Sequence, residues 1–368
     1  MTQYTDRKGN STNYTYNANN DNLQTVSDGQ GSTVSYTYNG KNYLTGISSP
    51  STQYSFTYDA FGNSKRVQAG GGTLIENNYA ANNGNLTSSE YGNGFTVSYG
   101  YDTLDRMTSK SYNGTKKFTW AYNAAGQIGL HKDLVNSKTY QYSYDLTGRL
   151  VRTDVSDGSW FKNSYDNTDK TTAVKYHYGP TTRIVDYAYS SRDNLPLSTT
   201  FVTSRSVTNA YDGLARLTKK TYATDDGVNN VKTSYTYKDW SSDTERTTGI
   251  LDAITYTTNG GLNVPNLHYL YDKNRNITSI IATTGGSEST EHYVYDSKNQ
   301  LIRHNSQSQG KSFVYDYDLA GNITAKKEYA YTTGTLGAVQ STKTYTYKSS
   351  GWRDLLLNYN GKAISYDA

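Results

Sequence analysis

The side chains best suited to hold a metal or move a proton are 32 acidic residues and five histidines, and there is no cysteine. His131, His177, His268, His292 and His304 are scattered without metal-ligand spacing, so structural or solvated roles are expected and no metal. No serine can be paired with a histidine and an aspartate from sequence, so nucleophilic catalysis has no candidate. The aspartates that directly follow tyrosines could be read as paired carboxylates or calcium ligands. A catalytic pair is needed once, however, and these recur along the whole chain, which favours turn capping. Asp316 and Asp318 simply alternate onto one face, and Asp225-Asp226-Gly227 has the wrong spacing for an EF-hand loop. Exposed indoles could stack on sugar rings. Trp120 stands where a repeat would place a Tyr, so it is assigned to an aromatic ladder, whereas Trp160, Trp240 and Trp352 lie near turns and are nominated for a glycan contact. No enzymatic activity and no cofactor are expected.

The aspartates belong to a unit. Tyr140-Gln141-Tyr142-Ser143-Tyr144-Asp145-Leu146-Thr147-Gly148-Arg149-Leu150 shows it most fully. On a strand, Tyr142 and Tyr144 put their rings on one face. Asp145 opens a turn by accepting backbone amides, Gly148 supplies a positive φ, and Leu150 begins the return strand. The same grammar recurs at Tyr58-Asp59 with Gly62, Tyr101-Asp102, Tyr122 with Gly126, Tyr211-Asp212, Tyr271-Asp272, Tyr295-Asp296, and Tyr317-Asp318 with Gly321. Weaker copies sit at Tyr16, Tyr38, Tyr79, Tyr165, Tyr189, Tyr237 and Tyr347, and Tyr366-Asp367-Ala368 opens one more. From Tyr16 to Tyr165 successive anchors lie 20 to 22 residues apart. The spacing loosens after about residue 237, where degenerate copies around Tyr256 and Tyr329/Tyr331 are expected to fill the gaps. Residues 1–368 thus read as a single array of about 16 repeats of roughly 21–22 residues, cut from a longer one at its C-terminus.

Leu, Ile, Val and Phe supply only about 16% of the chain, low enough to suggest disorder if net charge were high. The charge is +4 and there are 39 tyrosines, whose rings favour strands, bury area and keep a hydroxyl for a partner. An ordered all-β protein with a thin, tyrosine-rich core follows. No run of Lys or Arg marks a nucleic-acid surface. No apolar run reaches the length of a membrane span, and the first ten residues lack a signal peptide's apolar centre.

Between anchors lies a second family of turn signals, among them Asp28-Gly29, Gly70-Gly71, Asn93-Gly94, Asn113-Gly114, Asp157-Gly158, Gly285-Gly286 and Asn360-Gly361. Read as type I′ hairpin turns, they give each period two turns and two strands, so sixteen anchors make 32 strands. The predicted fold is a continuous antiparallel β-hairpin ribbon, curling into a spiral shell or solenoid-like body. Two hairpin turns per period argue against a parallel β-helix.

These copies resemble the YD repeats of RHS proteins, wall-associated proteins, the C component of Tc toxin complexes and teneurins. The likeness is sharpest at Tyr144 to Leu150 and at Tyr315-Asp316-Tyr317-Asp318-Leu319-Ala320-Gly321-Asn322-Ile323. It implies a β-ribbon spiralling into a hollow shell of a large bacterial secreted or surface protein. The partner it implies is a toxin or effector polypeptide, with cell-surface glycans as the alternative. End-to-end self-association through the terminal strands, or shielding of those strands, is expected as well.

Overall fold

A computed structural model describes all residues except 202–204, 225–229, 240–246, 259–262 and 367–368. Thirty-two strands run from Gln3–Thr5 to Lys362–Ala363, and no helix occurs among the described residues. Each strand pairs antiparallel with the one before it and the one after it, as in Lys138–Tyr144 between Ile128–Asp133 and Leu150–Val155. Among the described residues no other strands pair, so the sheet is one unclosed ribbon of up-and-down hairpins. The number of strands is what sixteen anchors demand. The degenerate copies are not there as strand pairs. One long strand, Thr247–Thr258, carries Tyr256 in its interior, and residues 331–340 form a loop after Ile323–Ala330. Extra sequence is absorbed by a longer strand and longer connections, and the two-strand period is kept; Asn259, Gly260 and Leu262 lie outside the described residues.

Type I′ turns are fewer than the Gly dipeptides suggested. Both central residues have positive φ at Gly70-Gly71, Asn113-Gly114, Gly285-Gly286 and Asn360-Gly361. At Asn93-Gly94 and Asp157-Gly158 only the glycine does, and at Asp28-Gly29 the left-handed residue is Gly31. These are type I turns closed by a bulge, in which one positive φ suffices.

The expected thin core is thinner still. The protein exposes 22104 Å², whereas a compact globule of its 41.0 kDa would expose about 15,000 Å². Among the described residues only Ala69, Val97, Val155, Phe313 and Tyr329 are buried apolar residues. A single-layer sheet half-exposes both faces, so its rings are covered mainly by cross-strand neighbours. A chain of them runs through Phe95, Tyr112 and Phe118 to Trp120. His131 then continues it to Tyr140, the last three rings near parallel. Trp120 is therefore a ladder member on the face of its anchor Tyr122.

The ribbon gains a second layer at residues 331–340. The 331–340 loop folds back on the strands Leu301–Ser306 and Lys311–Tyr317. Thr332 exchanges two hydrogen bonds with Ser312, each 3.0 Å, and Arg303 donates to the Thr332 and Gly334 carbonyls. Ser306 and Ser312 are wholly buried there. We expect native-state hydrogen exchange to be slowest at Asn305, Ser306, Ser312 and Phe313. Equal protection in the strand Gln53–Tyr58 would show that the loop adds no local stability.

Candidate functional site: tyrosine rungs and the seam between windings

The anchor tyrosine is what binds one repeat to the previous one. Tyr144 donates its hydroxyl to the carbonyl of Ile128 at 2.8 Å, and Tyr122 to that of Met107 at 2.7 Å. Fourteen anchors, from Tyr58 to Tyr366, make this bond, thirteen of them to the first residue of the preceding return strand and Tyr271 to Leu251, inside the long strand Thr247–Thr258. Because the acceptor is backbone, that residue need not be aliphatic: Tyr79 uses Ser64 and Tyr211 uses Pro196. Where Asn replaces the tyrosine two positions before the anchor, its amide joins the same carbonyl, as Asn77, Asn163 and Asn209 do. Burial pushes the phenols of Tyr101, Tyr144, Tyr271, Tyr295 and Tyr317 up, which keeps the donated proton in place.

Each anchor leads into a five-residue turn with a bulge at the tyrosine. At Asp145 the backbone amide donates to the Arg149 carbonyl, and the Gly148 amide returns to the Asp145 carbonyl, both at 3.0 Å. One carboxylate oxygen accepts the amides of Thr147 and Arg149, and the other accepts the Arg149 guanidinium at 2.7 Å. The Arg149 guanidinium first, against some burial, and then these amides hold Asp145 well below the ordinary carboxylate range. Asp59, Asp102, Asp212, Asp272 and Asp318 accept the corresponding pair of amides, as does Asp296. The aspartates are spent on capping.

The residue after the glycine position reaches forward as well. Arg149 bonds Asp169 in the next turn and lies 4.9 Å from the Tyr165 ring. Gln127 donates to the Gly148 carbonyl, and a Cβ at Gly148 would stand 3.1 Å from that Gln127 amide nitrogen. Gly148, at φ 88°, is therefore required twice, by its own turn and by its neighbour. Sequence alone supplied only the first reason.

Tertiary structure adds a contact that sequence reasoning missed. The ribbon bends round until its far edge, the turns opposite the anchors, meets the anchor edge of a later winding. Lys8 pairs with Asp272 at 3.3 Å, Asn274 donates to Asp6 at 2.6 Å, and Lys298 pairs with Asp28 at 2.9 Å. Ser32 donates to the Leu319 carbonyl and Thr52 to the Gly351 carbonyl. Gly70 touches the same stretch, since a Cβ there would stand 2.0 Å from the Gly351 carbonyl oxygen. One signal was available: Asp6-Arg7-Lys8-Gly9-Asn10 spells the turn of Asp59 to Asn63 on the opposite edge.

Two of the three nominated tryptophans have partners within the chain. Trp352 donates to the Tyr54 hydroxyl at 3.2 Å, and Tyr54 in turn donates to Asp354 across the seam. Trp160 faces away from its anchor Tyr165, with His177 stacked at 5.8 Å and the Arg152 guanidinium 4.9 Å from its ring. Trp240 lies outside the described residues, as does Asp225-Asp226-Gly227. The five histidines stay apart. His304 meets Glu291, His292 meets Ser279 and His268 meets Asp252. Among the described residues no three His, Asp or Glu side chains gather as metal ligands.

Two outcomes follow. Tyr144→Phe removes one rung and leaves the Ile128 carbonyl unpaired, for a loss of about 1 kcal/mol in chemical denaturation, while Gly148→Val forces a branched side chain into left-handed backbone at a cost of roughly 2 kcal/mol. Equal stability of both variants with the parent would overturn the turn and rung assignments. The second outcome concerns acid. Partial burial opposes the shift, but hydrogen bonds from Asn10, Asn274 and Lys8 hold Asp6 at about 2. Burial likewise opposes Lys298 at Asp28, and Asn276 and Lys8 at Asp272, yet both stay low. A carboxylate lowered by folding stabilises above its unfolded pKa, and that contribution fades as pH falls through the folded value. The melting temperature should therefore drop between about pH 4 and pH 2. Asp28→Asn with Asp272→Asn should flatten part of that drop, and an unchanged profile would show that the seam carboxylates do not contribute.

Comparison with known proteins agrees with this geometry. Residues 82–117 match the family model described as RHS Repeat. No curated protein sequence matches the chain. The crystal structure of TcdB2-TccC3-TEV is similar over 94% of this chain and 19% of its own, with TM-score 0.67 and 16% identity. TcdB2-TccC3 is similar over 95% and 20%, with TM-score 0.58 and 16% identity, and TcdB2-TccC3 without its hypervariable C-terminal region over 93% and 19%, with TM-score 0.57. The chain thus spans about a fifth of the length of the chains whose fold it shares. Residues 82–117 thus carry an RHS repeat, and the ribbon as a whole shares its fold with these structures.

Proposed function

We propose that this chain is a non-enzymatic wall segment of a large secreted or surface protein, whose spiral ribbon encloses or presents a toxin polypeptide. The observation that carries the reading is a single-layer sheet wound past a full turn with, among the described residues, no strand packed across it. The first far-edge turn meets the anchor-edge turn that follows the twenty-fourth strand, so a winding takes about 24 strands. At about 4.8 Å per strand that is a circumference of roughly 115 Å and a diameter of some 35–40 Å, well beyond the ~10 Å at which facing sheets pack. Such a wall can surround a chain without touching every part of it.

The chemistry of the wall suits containment. Tyrosine rungs, aspartate turn caps and cross-strand ion pairs recur along it, so the ribbon holds its shape without a filled interior. The resemblance to TcdB2-TccC3 supports the reading, and one of those structures is named for lacking a hypervariable C-terminal region. The test is small-angle X-ray scattering of the purified chain. A pair-distance distribution weighted towards the wall diameter is expected; the profile of a filled globule of the same mass would overturn the proposal.

A further inference from the structure

Six anchor turns use both oxygens of their aspartate in the same way. One oxygen takes two backbone amides, and the other takes the side chain four positions on, which is Asn63, Arg106, Arg149, Arg216, Asn276 or Asn322. The turn after Tyr295 departs from that pattern. Asp296 accepts the amides of Lys298 and Gln300 through Oδ1, but the residue four positions on is Gln300 itself, whose side chain lies against Gly321 without a hydrogen bond. Gln127 stands in the same relation to Gly148 and does bond it. Among the described residues Asp296 Oδ2 and the Gln300 carboxamide are therefore without partners.

Both line a groove of about 680 Å³ in the seam, within the roughly 300–1,000 Å³ of small-ligand sites. It lies where the anchor-edge turns of Asp296 and Asp318 meet the far-edge turns of Asp28 and Pro50, a corner held by Lys298 with Asp28 and by Ser32 with the Leu319 carbonyl. Gln30 lines it from the other winding, and Tyr315 and Tyr317 line it from the strand Lys311–Tyr317. The Tyr317 hydroxyl is spent on its rung to Leu301, whereas the Tyr315 hydroxyl and the Gln30 carboxamide bond nothing among the described residues. Burial pushes the Tyr315 phenol up, which keeps its proton available to a ligand.

This set of groups selects a chemistry. A carboxylate oxygen, two carboxamides and a phenol without partners suit a molecule with several hydroxyls, each of which donates and accepts. The tyrosine rings, Ile302 and Pro50 suit its apolar ring face. Lys298, the cation of the lining, is neutralised by Asp28, so the groove keeps a surplus of negative charge and turns away phosphates and nucleic acid. The strands here are paired on both sides and offer an extended peptide no edge to join. We propose that the groove binds a neutral saccharide, whose hydroxyls are held by Asp296, Gln300 and Tyr315 of one winding and Gln30 of the other. The site exists only where two windings meet. It does not depend on what the ribbon encloses, so it and the containment reading fail separately.

The test is saturation-transfer difference NMR of the purified chain with maltotriose, cellotriose, mannotriose and triacetylchitotriose as probes. At least one of them should take up saturation at its ring protons. Tyr315→Phe with Gln300→Ala removes two of the bonding groups and should weaken that probe about tenfold. Asp296→Asn keeps the oxygen that caps the turn, loses the free acceptor and should weaken the probe as well. Tyr142→Phe deletes the corresponding hydroxyl of a repeat away from the seam and should bind as the parent does. No response from any of the four probes, or parent affinity in Asp296→Asn and in a double variant that keeps the parent's circular dichroism, would overturn the proposal. So would a preference for a heparin tetrasaccharide or a Gly-Ser octapeptide over the neutral sugars.

Discussion

The fold depends on the bond from each anchor tyrosine hydroxyl to a backbone carbonyl of the repeat before it. A single-layer ribbon has no interior to fix the relation of one hairpin to the next, and strand hydrogen bonds alone leave its register weakly specified. The rung supplies a fixed point per repeat. Between donor and acceptor the sequence separation ranges from 10 residues at Tyr366 to 24 at Tyr347, yet the geometry is the same. Insertions can therefore accumulate in strands and connections without shifting the ribbon. A net contribution of about 1 kcal/mol per hydrogen bond, repeated fourteen times, is substantial for a chain with so few buried apolar residues.

The turns follow from the same constraint. To place the hydroxyl correctly the chain must reverse immediately after the tyrosine, and the capped five-residue turn does so with a bulge that tightens the local twist. The left-handed position is filled by Gly at 62, 126, 148 and 321 and by Asn42, Asp105, Asp169, Ala215, Arg275 and Asn299 elsewhere. Its conformation is compulsory while its side chain is negotiable, with glycine favoured where the previous turn's side chain lies against it. The forward reach of Gln127 and Arg149 makes the anchor edge a ladder of linked turns.

The seam is a different kind of contact. It uses ion pairs, amide donors and a glycine-to-glycine approach, with no backbone ladder, so it can hold successive windings together while each remains a separate course of the wall. Partly exposed ion pairs are individually weak. Their value here lies in number and in register, because the ribbon brings all of them into place once one is made. That asymmetry between strong bonding along the ribbon and weak bonding between windings suits a wall built from repeats.

The period, the tyrosine face, the capping role of the aspartates and the number of strands were all legible in the sequence, because each is local: it needs only alternation along a strand and the φ preferences of a turn. Anchors such as Tyr144 and turns such as Asp145 to Arg149 carry their instructions within a few residues. Trp160 and Trp352 were harder to place. An indole beside a turn is open to solvent or engaged according to what another strand or winding brings to it, and here His177 and Tyr54 arrive. The carbonyl that each hydroxyl selects, the second layer built by 331–340 and the meeting of Lys8 with Asp272 were likewise decided by tertiary structure. They join residues up to about 300 positions apart, and no pattern within a period encodes the curvature that brings them together.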